Sequence, residues 1–120
     1  MGGLNMSKFR VLIVDDNLSF AESIRAHFAS SEHVLSADIA PDGREALDKL
    51  KSGRYDILLL DFLMQPLCGD EVVKRLRAFD RDIFIILLTG HRELAPPMNA
   101  MHEMDIQGYY EKSDRFDQLE

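Results

Sequence analysis

The stretch Tyr55-Asp56-Ile57-Leu58-Leu59-Leu60-Asp61 decides the fold. Its apolar run from Ile57 to Leu60 is unbroken and stops at a carboxylate. A run this short, bounded by polar residues, reads as a strand buried on both faces, as strands of parallel sheets are. Two other runs have the same shape. Phe9-Arg10-Val11-Leu12-Ile13-Val14 ends in Asp15-Asp16, and Ile83-Phe84-Ile85-Ile86-Leu87-Leu88 ends in Thr89-Gly90. A weaker one, Gly108-Tyr109-Tyr110-Glu111, ends in Lys112. Between them the spacing turns helical. Phe20, Ile24 and Phe28 share one face of a helix over 17–31, with Asp16 or Asn17 as its N-cap. Val34 to Ala40 alternates enough for an edge or near-edge strand, and Pro41-Asp42-Gly43 is a turn signal. A second helix is predicted over 44–51 with Ala46, Leu47 and Leu50 inward, and a third over 70–79 with Val72, Val73 and Leu76 inward. Pro96-Pro97 suits the first turn of a fourth helix, at about 97–104. Strands alternating with helices define an α/β fold, a doubly wound parallel sheet of five strands.

The bulk composition narrows the function. At 120 residues the chain is one domain, long enough to bury about two thirds of its unfolded surface. A net charge of −7 argues against a nucleic-acid surface on this domain. No apolar stretch approaches the roughly 18 residues of a membrane helix, which argues against a membrane role. The single cysteine, Cys68, excludes an internal disulfide and suits a reducing cytoplasm. Residues 1–7 read as a tail ahead of a domain over 8–120. Only eight residues follow Lys112, so a closing helix from about Arg115 would be cut short. The expectation is a domain excised from a longer protein, its last helix truncated and one sheet face partly uncovered.

In an open parallel sheet the functional site lies just past the carboxyl ends of the strands. Asp15, Asp16, Asp61, Thr89 and Lys112 are therefore expected on one rim. Carboxylates this close destabilise one another unless a positive charge sits among them. Hard oxygen donors with room for water are what Mg²⁺ takes. Lys112 offers a fixed positive charge, Thr89 a hydroxyl, and Gly90 room for close backbone approach. An acid nucleophile, a divalent cation, an amine and a hydroxyl together fit phosphoryl transfer.

These residues resemble the receiver domain of two-component response regulators, the CheY-like family, over about 10–112. Supporting marks are Ala40-Pro41-Asp42-Gly43-Arg44-Glu45-Ala46-Leu47, Met64 three residues past Asp61, and Gly69 eight past it. The resemblance implies a flavodoxin-like five-stranded parallel sheet in the order 2-1-3-4-5. It implies that Asp61 accepts a phosphoryl group from a phosphohistidine on a histidine kinase or histidine phosphotransfer protein. Asp16, Asp61 and the backbone carbonyl of Leu63 would ligate Mg²⁺, or Mn²⁺ in its place, with Asp15 acting through a metal-bound water. Lys112 and Thr89 would bind the phosphoryl oxygens. Tyr109, three residues before Lys112, matches the aromatic that swings inward as the threonine moves. The implied role is a cytoplasmic signalling module that also hydrolyses its own aspartyl phosphate, rather than a turnover enzyme. An output domain elsewhere in the protein and dimerisation both fit it.

The sequence departs from the family pattern in three places. Gln65 stands four past Asp61, where proline is usual, and Pro66 follows. Lys112 precedes Ser113 rather than a proline. Pro96-Pro97 reshapes the expected fourth helix, part of the family's output face. Other classes fit less well. An aspartate-nucleophile phosphohydrolase usually carries a second acid two residues after the nucleophile, where this chain has Leu63. A flavodoxin-like FMN carrier needs a Ser/Thr/Gly-rich phosphate loop after the first strand, and Asp15-Asp16-Asn17 would repel that phosphate. The intact set of five residues argues against a receiver used only for docking.

Overall fold

The computed structural model describes residues 8–62, 67, 69–89, 102 and 105–111, with the backbone alone for Tyr110 and Glu111. In chain order the elements are β1 (Phe9–Val14), α1 (Leu18–Ala29), β2 (Val34–Ala40), α2 (Gly43–Ser52), β3 (Ile57–Asp61), α3 (Gly69–Arg77), β4 (Phe84–Thr89) and β5 (Gly108–Glu111). The expected fourth helix, apart from His102, which is helical, and the expected closing helix and tail lie outside the described residues.

The five strands form one sheet in the order β2-β1-β3-β4-β5, and every neighbouring pair is parallel. This is the order the family resemblance implies. β3 is central because its apolar run needs cover on both sides. Leu58 and Leu60 pack with Leu12, Val14, Ile85 and Leu87 against α2 and α3. Leu59 faces the other way, with Val11, Ile13 and Leu88, against Ala21 and Ile24 of α1. The strict alternation follows from the two-residue period of a strand. Truncating any of these buried leucines to alanine costs about 2–5 kcal/mol.

Small differences from the sequence expectation fall at element ends. α2 and α3 each begin one residue earlier than predicted, at Gly43 and Gly69, and α3 ends at Arg77 rather than Phe79. β4 begins at Phe84 rather than Ile83, because Asp80 Oδ1 accepts from the backbone N–H groups of Asp82 and Ile83 and holds them in a turn. β2 takes the edge position proper. On the α1 side, a hollow of about 390 Å³ is lined by apolar residues that include Val11, Phe28, Ile57, Leu59 and Ile86. Among the described residues, α1 is the only helix on that face.

Two polar devices at the amino edge of the sheet are not apparent from periodicity. The Arg77 guanidinium donates to the carbonyls of Asp80, Ile83 and Asp105, tying α3 to the approach to β5. Gln107 adds a second tie. Its side-chain oxygen accepts from Ile85 N at 2.6 Å, and its backbone N–H donates to Ile85 O at 3.0 Å. Asp105 adopts φ 60°, the left-handed turn that lets the chain enter β5. β5 is thereby seated on β4 with Tyr109 opposite Leu87.

Across the α2 side, the Tyr55 hydroxyl donates to Asp38 Oδ2 at 2.7 Å and joins the start of β3 to the edge strand β2. Burial, then the bond to the Asp38 carboxylate, push the Tyr55 hydroxyl from 10.0 up to about 12, against a smaller opposing pull from Arg10. The folded state holds this proton more tightly than the unfolded chain. Its stabilisation is therefore complete below pH 10 and is lost as pH rises through about 12. Tyr55→Phe is expected to lower stability at neutral pH by about 1 kcal/mol. The gap between wild type and variant, measured by urea denaturation, should close across that alkaline window; a gap that persists there would contradict the assignment.

Candidate metal centre

The parallel register brings three strand ends to one level. Val14 lies opposite both Ala40 and Leu60, and Asp61 lies opposite Leu88. The next residues therefore emerge together: Asp15 and Asp16 after β1, Asp61 closing β3, and Thr89 closing β4, one step beyond the partner of Asp61. Asp15, Asp16 and Asp61 each offer a carboxylate oxygen, and these oxygens all lie within 4.8 Å of one another.

Local structure fixes each group. Asp15 N donates to Ala40 O at 3.2 Å, continuing the β1–β2 ladder one step past the strand. Asp15 Oδ1 accepts from Asn17 N at 2.9 Å, an Asx turn that orients the carboxylate. Asn17, not Asp16, is the N-cap of α1: its side chain accepts from Phe20 N at 3.2 Å. That leaves Asp16 exposed at the mouth of the cluster, while Asp15 is 0% and Asp61 5% exposed. Past Asp61, Phe62 N donates to Leu88 O at 3.0 Å, so the backbone following the acid stays bound to β4.

Buried carboxylates are normally paired or bound to a cation, because burying a bare charge is costly. Three acids of one sign with two of them buried therefore form a donor set for a hard divalent cation. Thr89 is also fully buried. Tyr109 sits on the outer strand with 36% of its surface exposed. The sequence thus placed Asp15, Asp16, Asp61, Thr89 and Tyr109 on described elements, and the sheet brings the three acids together. Lys112 and Leu63 lie outside the described residues. The Asx turn from Asp15 to Asn17 was missed, although an Asp two residues before a cap residue is its sequence signal.

A sequence profile of the response regulator receiver domain matches residues 11–120. The chain belongs to that family. Among relatives of this receiver, the transcriptional regulatory protein DltR of Streptococcus agalactiae serotype III (strain NEM316) is 33% identical over 110 residues, 92% of this chain and 48% of DltR. The response regulator MprA of Mycolicibacterium vanbaalenii is 41% identical over 81 residues, 68% of this chain and 34% of MprA. The receiver thus spans about half or less of the length of these relatives. Among solved structures, the response regulator TrrA of Thermotoga maritima, in complex with Mg²⁺-BeF, superposes with TM-score 0.79 at 33% identity, covering 92% of each chain. The chemotaxis protein CheY4 of Vibrio cholerae superposes with TM-score 0.81 at 26% identity, covering 93% of this chain and 92% of its own. The receiver has the CheY-like fold of two-component signalling proteins, and among its described residues no helix is long and apolar enough to cross a membrane.

The crowding of charge makes a direct prediction. Without divalent cations, Asp61→Asn is expected to raise the thermal stability of the receiver by on the order of 1 kcal/mol, because it removes one of three repelling charges. The same substitution should remove most of the rise in melting temperature that Mg²⁺ gives the wild type. A variant less stable than wild type in chelator would contradict the reading of Asp61 as a charge under strain.

Proposed function

We propose that this receiver accepts a phosphoryl group on Asp61 from a phosphohistidine of a histidine kinase or histidine phosphotransfer protein. The observation that carries the proposal is the convergence of three carboxylates at one rim, with Asp61 nearly buried at the end of the central strand. Asp15, Asp16 and Asp61, together with the carbonyl of Leu63, would hold Mg²⁺, or Mn²⁺ in its place. A divalent cation bound there neutralises the charge that phosphoryl transfer gathers on the equatorial oxygens.

The chain's own groups divide the remaining work. Asp61 presents a carboxylate oxygen as nucleophile: an O–P bond forms as the N–P bond to the donor imidazole breaks, and that imidazole leaves with the bond's electron pair. The preceding β3 ladder and the Phe62–Leu88 bond hold Asp61 in place, so little orientation has to be acquired on docking. Lys112 and the Thr89 hydroxyl bind phosphoryl oxygens. Movement of Thr89 toward them frees space on the β4–β5 side into which Tyr109 turns. A phosphoryl group that binds this inward arrangement better shifts the population toward it. Water attack on the aspartyl phosphate later resets the domain.

The kinase partner is supported by a relative: TrrA is also solved in complex with the histidine kinase ThkA. The relatives' greater length supports reading residues 8–120 as the receiver portion of a larger regulator with an output domain. Its place is the cytoplasm, where a kinase and a free thiol at Cys68 are both at home.

Incubation with acetyl phosphate, followed by intact mass measurement, is expected to add one phosphoryl group only when Mg²⁺ is present. Asp61→Asn should take up none. Thr89→Ala should still be labelled while the change in tyrosine fluorescence on labelling is lost. Mg²⁺-independent labelling, or labelling that survives Asp61→Asn, would contradict the proposal.

A further inference from the structure

Two glycines border the segment that leaves β3, and they differ in what crowds them. At Gly43, the first residue of α2, an added Cβ would fall 2.7 Å from Val72 Cγ2 and 3.0 Å from Leu67 Cβ, both side-chain atoms. At Gly69, the first residue of α3, it would fall 2.8 Å from Phe62 Cα and 3.1 Å from Phe62 O. Both of those are backbone atoms. Crowding at Gly43 is with side chains of the core, whereas the Phe62 main chain yields only if the strand end moves.

Phe62 is the residue directly after Asp61, and its peptide is held from two sides. Its N–H donates to Leu88 O at 3.0 Å on β4, and its carbonyl accepts from Gly69 N at 2.8 Å. The second bond brings the start of α3 against the end of β3, at a separation only a residue without Cβ permits. No φ is at issue: glycine is required for close approach and not for conformational freedom.

We infer that Gly69 is a positioning residue for Asp61: by letting α3 seat against the Phe62 backbone, it sets where the Asp61 carboxylate stands relative to Asp15 and Asp16. This rests on the phosphoacceptor reading of Asp61. A methyl group at position 69 pushes the Phe62 main chain aside, and Asp61 moves with it, while the sheet and both core clusters stay as they are. The cost falls on the geometry of the acid cluster, where a displacement of under 1 Å is enough to slow chemistry substantially.

The test is Gly69→Ala, with two controls in the same chain. Gly108→Ala makes the same chemical change where, among the described residues, nothing lies within 4 Å. Ile24→Val loosens the core on the far face. Each variant is titrated with Mg²⁺, followed by tyrosine fluorescence well below its melting temperature, and labelled with acetyl phosphate at saturating Mg²⁺. Gly69→Ala is expected to weaken Mg²⁺ binding and to slow saturated labelling, each about tenfold, while both controls keep wild-type values. A Gly69→Ala variant equal to the controls on both readouts overturns the inference. If the wild type itself neither binds Mg²⁺ nor is labelled, the phosphoacceptor reading fails and takes the inference with it. Should Gly69→Ala not fold, hydrogen exchange of the wild-type amides decides. Linkage then requires Mg²⁺ to protect the Gly69 amide more than the Gly53 amide, which caps α2 by donating to Lys49 O. Equal protection of the two overturns the inference.

Discussion

Everything in this receiver turns on the convergence of Asp15, Asp16 and Asp61. Three acidic oxygen donors within 4.8 Å, two of their side chains buried, call for positive charge among them. A sequence selected for stability alone would place neutral groups there. The parallel ladder supplies what the cluster spends: an apolar centre in which Leu58, Leu59 and Leu60 are covered on both faces. The core is thus built beneath the site, and the strain sits where the strands run out.

That arrangement explains the asymmetry between the two edges of the sheet. The amino edge carries polar ties that include Arg77 on three carbonyls and Gln107 on Ile85. Such bonds are satisfied within the chain and fix the strands in register. The carboxyl edge instead gathers like charges beside a buried hydroxyl. In the function proposed, a cation bound there would offset the negative charge of the acids and of a phosphoryl group on Asp61, and the phosphoryl group would favour whichever arrangement of Thr89 and Tyr109 accommodates it.

Much of this was legible in the residues. The runs ending at Asp15, Asp61 and Thr89 gave both the strands and the rim, because a doubly buried strand must be apolar until it stops and functional groups follow directly. Asn17 and Asp16 could not be ranked as caps, since either side chain can serve; only the Asp15–Asn17 turn decides it. The starts of α2 and α3 were placed one residue late because Gly43 and Gly69 are poor helix formers. Packing overrides propensity at both: each is glycine because a neighbour occupies the space of its Cβ. Arg77 and Gln107 carry no local pattern at all, as their partners are backbone carbonyls and amides that periodicity does not show.

The central claim is that one divalent cation belongs to the carboxyl rim. The chain also carries an acidic group at the opposite edge, where Asp56, Asp80 and Asp82 line a hollow of about 270 Å³ with Arg54 and Tyr55. Substoichiometric Mn²⁺ added to the ¹⁵N-labelled chain separates the two, since the ion broadens amide signals near it. Broadening centred on Asp15, Asp16, Asp61 and Thr89, and reversed by excess Mg²⁺, is the predicted result. Broadening centred on Asp56, Asp80 and Asp82, with the carboxyl rim untouched, would contradict it.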